Sequence, residues 1–395
     1  MIINRLKLAN WRNFTEVDIP LGERAFIIGP NASGKSNLLD AIRFLRDVAK
    51  REGGGLQVAI RHRGGVRRLR SLAAHSGSGV CIEAHLTSDT EESIEWVYRL
   101  AFTVERSGNH RILVQEETVS KNGEVLLNRP DEEDRRDSER LTATALEQIN
   151  VNRPFRDIAE FFNEVKYLHL VPQLLRHGAE IGGNRLENDP FGQGFLERIA
   201  NTNINTRKSR LNKIATALSY IVPELVEIAF ERDSSGQPHL KARFENWRLN
   251  DVWQQEDQFS DGTLRLIGLF WSLLDRGGLL LLEEPEISLN RDIILRLAGL
   301  IYELSRPSRR RRDGERHNER RQVILTTHSS DLLCDQGIDG WEVFYITPGK
   351  DGSEVSAMAE DPGTRELLKG GVMPGEIAPF RNKGYQLPLG LGLAG

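Results

Sequence analysis

The sequence predicts an α/β protein that carries an antiparallel β subdomain and a helical lobe. Three observations point there. From residue 263 onward the apolar pattern alternates: helix 263–275, strand 279–283, helix 288–304, strand 322–327, helix 330–335, strand 341–346. That βαβ rhythm calls for a parallel sheet with helices on its faces. Residues 80–127 instead read as a meander, strand-like over 80–86, 94–104 and 112–119, with a hairpin turn at Asn122-Gly123. Residues 141–221 carry mostly helical spacing, broken by a Gly/Asn/Pro-rich segment at 178–194.

The remaining elements follow in order. Residues 2–8 alternate apolar and polar, and 14–19 continue the pattern after a turn at 10–13. Ala25-Phe26-Ile27-Ile28 suits a short buried strand ending at Gly29. Over 35–50, Leu38, Leu39, Ile42, Leu45 and Val48 share one helical face. The polar stretch 131–140 reads as an exposed loop. Residues 225–231 and 240–244 read as another hairpin, and the Gly- and Pro-rich last forty residues as surface loop.

Composition narrows the class. The chain has 395 residues, 39% hydrophobic and 28% charged, with a formal net charge of -4. That is globular composition, and it is not the charge of a general polyanion trap. Cys81 and Cys334 stand far apart and form neither a metal motif nor a disulfide framework, which points to a reducing cytoplasm. No apolar run approaches the ~20 residues of a membrane span, so no membrane partner is expected.

The sharpest motif is Gly29-Pro30-Asn31-Ala32-Ser33-Gly34-Lys35-Ser36, a full match to G-x-x-x-x-G-K-[ST] between an apolar strand and an amphipathic helix. Successive backbone N–H groups converge on phosphates there, with Gly34 keeping a side chain away. The helix beginning near Lys35 turns its positive end toward them. Lys35 supplies charge to the β- and γ-phosphates, and Ser36 a hydroxyl to Mg²⁺.

A second half follows. Leu279 to Leu282 deliver Glu283-Glu284-Pro285-Glu286 at a strand's carboxyl end, where open α/β sheets bind ligands. Glu283 suits the Mg²⁺ shell and Glu284 the attacking water, because adjacent strand residues face opposite sides. Glu286 is equally well a solvated helix start. Thr326-Thr327-His328-Ser329 ends a third apolar strand, from which His328 can reach a γ-phosphate. Phe259-Ser260-Asp261-Gly262-Thr263 opens a helix, either as a plain cap or as a second phosphate grip.

These four elements in this order resemble the ABC-type ATPases of the SMC, RecF and OLD group. There GPNASGKS is Walker A, FSDGT the signature motif, LLLLEEPE Walker B with the catalytic Glu284, and TTHS the switch His328. The resemblance implies a P-loop ABC-type head, with ATP and Mg²⁺ as cofactors and residues 29–36 and Asn37 lining the nucleotide. KLANWRNF is similar to the family's opening strand and turn, which makes Arg12 a nucleotide contact. Gln173, after a strand-like segment, is the candidate glutamine toward nucleotide and metal. The implied assembly is a homodimer, or a higher even oligomer, of heads sandwiching ATP, with Ser260 and Gly262 acting in trans on the γ-phosphate. Walker B ends in Glu283 where many members have Asp.

The expected division is 1–175 as first ATPase lobe with the meander, 176–275 as helical lobe, 276–350 completing the core, and 351–395 as extension. Between Ser36 and Ser260 lie too few residues for an SMC arm, and the 67 after His328 do not fit the nuclease domain of OLD proteins. The expectation is therefore a hydrolysing switch working with a separate nuclease or toxin in anti-phage defence or DNA surveillance. The alternative is a RecF-like repair ATPase that binds DNA itself. The long insertion and FSDGT argue against a transporter ATPase. Two arginine runs, 61–70 and 306–321, read either as DNA-backbone contacts or as solvated loops.

Overall fold

The computed structural model describes residues 1–73, 79–88, 93–105, 111–183, 185–186, 188–245, 252–275, 277–305 and 321–381. The chain opens with β1 (Ile2–Trp11), β2 (Phe14–Pro20), β3 (Arg24–Ile28), α1 (Lys35–Ala49), α2 (Leu56–His62) and α3 (Val66–Leu69). The meander follows as β4 (Val80–Thr87), β5 (Glu95–Val104), β6 (Ile112–Lys121) and β7 (Glu124–Arg129), then α4 (Glu132–Arg136), α5 (Arg156–Asn163) and β8 (Lys166–Leu168). A helical segment holds α6 (Pro172–Ile181), α7 (Phe195–Ala200) and α8 (Ile204–Ser219), joined to β9 (Leu225–Arg232), β10 (Pro238–Phe244) and β11 (Val252–Gln255). The last third contains α9 (Asp261–Leu273), β12 (Leu280–Glu283), α10 (Arg291–Ser305), β13 (Val323–Thr327), β14 (Val343–Gly349), β15 (Gly352–Ala357), α11 (Pro362–Lys369) and α12 (Pro374–Arg381).

Among the described residues the strands form three sheets. One is antiparallel in the order β2-β1-β4-β5-β6-β7, and a second is the three-stranded β11-β10-β9. The third runs β15-β14-β3-β13-β12-β8, parallel except for the edge hairpin partner β15. Its central strands β3, β13 and β12 are apolar on both faces, and alternate residues feed two cores. Ala25, Ile27, Leu281, Ile324 and Phe344 face the antiparallel sheet and α1. Phe26, Ile28, Leu280, Leu282, Val323, Leu325 and Val343 face the helical segment and α9. Leu279 to Leu282 are at most 2% exposed, each worth about 1.5–3 kcal/mol of burial. The Gln322 carboxamide pins the two large sheets together. It accepts from Ile3 N at 2.9 Å and donates to the carbonyls of Ile3 and Gly22, each at 2.7 Å.

Several expectations change. Residues 131–140 are largely exposed, as expected, but they form two short helical turns rather than a loop, and Asp134 alone is buried. Asp131 and Asp134 form a capping box for α4, and fully buried Asp134 holds Arg129, which also reaches buried Glu117. A carboxylate pair around one guanidinium lets Asp134 go interior while its neighbours stay exposed. The segment 141–221 contains β8 and irregular turns between its helices. The second hairpin gains a third strand, β11. The helix expected over 330–335 is a single 3₁₀ turn at Asp331–Leu333. Of the last forty residues, 356–381 hold the end of β15, α11 and α12, with apolar Ala357, Met358, Ile377 and Ala378 closing the second core and the sheet edge, while 382–395 lie outside the described residues. The Asn122-Gly123 turn is as expected, both residues having positive φ.

Candidate functional site

The parallel register places Glu283 beside Thr326, and Thr326 and Thr327 beside Ile27 and Ile28. The carboxyl ends of β12, β13 and β3 therefore open at one place, and the three chemistry-bearing motifs leave from there.

The loop after β3 needs its glycines. A Cβ on Gly29 would lie 2.7 Å from Ser33 Oγ and 2.8 Å from the Ile346 carbonyl. Gly34 has φ +111°, in the left-handed region, and caps α1. Pro30, Asn31 and Ala32 are exposed at the loop crest, and Ser33 is fully buried. Lys35, only 6% exposed, folds back so that Nζ donates to the carbonyls of Gly29 (2.9 Å) and Pro30 (3.0 Å). Burial pushes its pKa down, and nearby Glu284, Glu283 and Glu286 partly offset this.

Two side-chain links close the site. Ser36 Oγ donates to Glu283 Oε1, while the Tyr167 hydroxyl, from β8, donates to Glu283 Oε2. Burial and then the Glu283 carboxylate raise the Tyr167 pKa, keeping it a donor. Lys35 Nζ stands 3.3 Å from His328 Nδ1, and His328 Nε2 pairs with Glu284. An ammonium can only donate, so this network assigns Nδ1 as acceptor and Nε2–H as the donor to Glu284. Glu284 sits at φ 46°, its N–H bonded to the Thr326 carbonyl at 3.1 Å, so β12 turns sharply as it delivers the carboxylate.

Glu286 is not a solvated helix start. It is 7% exposed, and its Oε1 accepts from Thr327 Oγ1 (2.6 Å) and His328 N (3.0 Å). It fixes the turn that carries His328.

The structure brings together Lys35, Ser36, Glu283, Glu284 and His328. It places the other candidates around them. Asn37 accepts Trp11 Nε1 on its carbonyl and donates its side chain to Asn13. The Arg12 guanidinium is paired with Asp40 of α1 at 2.6 Å, where Arg63 also donates. Burial alone would raise the Asp40 pKa, but Arg63, Arg12 and Arg43 outweigh it and hold it low. Gln173 does not meet Ser36 or Glu283. It opens α6 and donates to Asp261 Oδ2 at 3.2 Å. Tyr167 is what the preceding strand offers to Glu283, and Arg43 stacks on its ring at 3.8 Å.

Ser260 caps α9, accepting Thr263 N at 3.1 Å, and is exposed. Gly262 is buried against its own chain, where a Cβ would lie 2.8 Å from the Ser288 carbonyl. Arg176 shapes this loop by donating to the carbonyls of Glu256 and Phe259 and to Asp261. Arg265, buried on α9, lines a small cavity with Leu282, Glu283, Glu284 and Pro285, and burial lowers its pKa. Tyr167, Arg176 and Arg265 carry no motif, so sequence reading missed them.

Of the first arginine run, Arg63 is interior, on Asp40 and Asp47, while Arg61, Arg67 and Arg68 are exposed. Of the second, Arg321 is buried, donating to the carbonyls of Ser272 and Asp275. Arginines 306–320 lie outside the described residues.

The donor set fits Mg²⁺. A hydroxyl and a carboxylate meet, and this small hard cation takes few protein oxygens beside phosphate. Among the described residues no cluster of three or more His, Cys, Asp or Glu could hold a metal alone.

Fold and motifs together define an AAA-class domain with a P-loop. Residues 24–335 match the family described as "AAA domain, putative AbiEii toxin, Type IV TA system", and the chain belongs to it. It is similar to the DNA replication and repair protein RecF of Brucella abortus, 52% identical over 44 residues, 11% of this chain and 12% of that one. RecF of Clavibacter michiganensis subsp. michiganensis is 31% identical over 87 residues, 22% of each. The chain thus spans about an eighth to a fifth of the length of these curated relatives.

Among solved structures, the SmcHead bound to the C-winged helix domain of ScpA aligns with TM-score 0.54 at 15% identity, covering 90% of this chain and 98% of that one. The Smc head domain with an extended coiled coil, bound to the C-terminal domain of ScpA derived from Pyrococcus furiosus, aligns with TM-score 0.50 at 14% identity, covering 94% and 100%. These likenesses establish the fold. Among the described residues no helix is long and apolar enough to cross a membrane.

Proposed function

We propose that the protein binds and hydrolyses ATP and uses the cycle as a switch between separate and joined heads. The observation behind this reading is the linked set Ser36–Glu283 and Lys35–His328–Glu284 at three adjacent strand ends. Lys35 leaves the Gly29 and Pro30 carbonyls for the β- and γ-phosphates. Ser36 and Glu283 hold Mg²⁺, which neutralises phosphate charge. Glu284 orients water, and His328 reads the γ-phosphate. Such catalysis is positioning and electrostatics rather than covalent chemistry.

Ser260, exposed at the start of α9, together with Gly262, would meet the γ-phosphate of a second copy, which makes ATP the glue of a head-to-tail dimer. The helical lobe of 176–275 presents that surface. The family description includes a type IV toxin–antitoxin system, which supports a place in such a system; the defence role and the separate effector belong to the proposal alone. The partner-bound Smc heads support a protein partner on the head. The second reading, a RecF-like machine acting on DNA, is favoured by the exposed Arg61, Arg67 and Arg68 of the first arginine run.

The test is ATP hydrolysis with and without double-stranded DNA, at low and moderate salt. Turnover abolished by Lys35→Ala and indifferent to DNA supports the partner-driven switch. Stimulation by DNA that fades with salt, and is lost when Arg61, Arg67 and Arg68 are neutralised, supports the second reading. Turnover that survives Lys35→Ala refutes both.

A further inference from the structure

Asn13 joins three stretches of chain that are remote in sequence. It lies in the turn between β1 and β2. Its side-chain amide donates to the Ser33 carbonyl at 2.7 Å and to Ser353 Oγ at 2.8 Å. Its Oδ1 accepts from Asn37 Nδ2 at 2.7 Å, and its backbone carbonyl accepts from Ser353 N at 2.7 Å. Both contacting loops close on it through glycine. A Cβ on Gly34 would lie 2.2 Å from Asn13 Nδ2, and one on Gly352 would lie 2.9 Å from the Asn13 carbonyl.

The Ser33 carbonyl is the informative contact. In a trans peptide the carbonyl of one residue and the N–H of the next point in opposite directions. An outside donor that holds the Ser33 carbonyl therefore turns the Gly34 N–H the other way. An anion cradle works only when its N–H groups face inward and its carbonyls outward, because one inverted peptide presents a negative end to phosphate. We propose that Asn13 is a positioning residue of the phosphate loop and that Ser353, on the β14–β15 hairpin, anchors it. This hairpin thereby sets the affinity of the loop for triphosphate. This rests on the reading of residues 29–36 as a nucleotide loop.

The experiment uses the full chain, a fluorescent N-methylanthraniloyl ATP and inorganic triphosphate as competitor. Losing one such hydrogen bond corresponds to about twofold to about tenfold in affinity. Asn13→Ala and Asn13→Asp, which lose both donors, should sit toward the upper end for both probes, and Ser353→Ala toward the lower end. The Asn13→Ala/Ser353→Ala double variant should be no weaker than Asn13→Ala alone, the mark of one shared interaction. In turnover, KM rises while kcat holds, and stability without nucleotide falls by no more than the lost hydrogen bonds, about twofold to about tenfold in the folding equilibrium each, which is about 0.5–1.5 kcal/mol. That split separates positioning from general damage. If Asn13→Ala does not fold, Ser353→Ala, which removes one hydroxyl, still decides.

The proposal is overturned if the wild type binds, Lys35→Ala abolishes binding, and the Asn13 and Ser353 variants bind like wild type. It is also overturned if kcat falls with KM fixed. Failure of the wild type to bind either probe removes the nucleotide-loop reading, and the proposal with it.

Discussion

Replacing Glu286 with alanine tests how the His328 turn is held. One carboxylate oxygen accepts from Thr327 Oγ1 and His328 N, and the residue is 7% exposed. Alanine strands both donors where water does not reach, at about 1–3 kcal/mol each. Two effects reduce the sum. The Thr327 hydroxyl can turn to the Ser329 carbonyl, 3.4 Å away, and the buried second oxygen, which has no partner, disappears with the side chain. The net expectation is about 2–3 kcal/mol of lost stability, about 0.5–1 M in urea midpoint. Glu286→Gln keeps an acceptor for both donors and should stay within about 1 kcal/mol. Tryptophan fluorescence in urea gives the midpoints, and ATP turnover in the same samples should fall at least about tenfold for alanine, since His328 loses its seat. An alanine variant as stable and active as wild type refutes the reasoning. So does a glutamine variant as damaged as alanine, because charge and not hydrogen bonding would then hold the turn.

Other outcomes follow from the same geometry. Tyr167→Phe removes the donor to Glu283 Oε2 while leaving the ring under Arg43, so the Mg²⁺ concentration for half-maximal turnover should rise about tenfold with unfolding unchanged. An unshifted Mg²⁺ curve contradicts that role. Gly262→Ala drives a methyl to 2.8 Å from the Ser288 carbonyl and should cost about 1–3 kcal/mol, read as a lower melting temperature. Burial would raise the Glu83 pKa, but hydrogen bonds from Lys7, His85 and Arg99 overcome it and lower the value from 4.5 to about 2. A depressed carboxyl stabilises above its unfolded pKa and loses that contribution as pH falls toward the folded value. The stability gap between wild type and Glu83→Gln, about 1–2 kcal/mol after solvent screening, should therefore be full at pH 6 and shrink between about pH 4.5 and 2. A gap that does not change with pH contradicts the ion cluster.

What was legible from sequence was local. The strand–loop–helix at 25–50 needs only apolar runs and the spacing of two glycines and a lysine. The LLLLEEPE and TTHS strands reveal themselves because both faces are buried, and their neighbouring ends follow from the parallel pairing. Glu286, Tyr167 and Asn13 were not legible as site residues because their partners lie elsewhere. Thr327 is 41 residues from Glu286, Glu283 is 116 from Tyr167, and Ser353 is 340 from Asn13. Asp134 looked solvated because its neighbours in sequence are charged, whereas its neighbour in space is Arg129. Arg12 was placed by likeness, and Gln173 by its position after a strand-like segment. The structure pairs them with Asp40 and Asp261, contacts that no linear pattern encodes.

The most direct test of the central claim is sedimentation of the Glu284→Gln variant with ATP and Mg²⁺. A nucleotide-gated head dimer predicts that this variant, able to bind but slow to hydrolyse, doubles its mass with ATP and stays single without it, and that adding Lys35→Ala abolishes the change. A mass that ignores ATP, or doubles equally in the double variant, contradicts the switch.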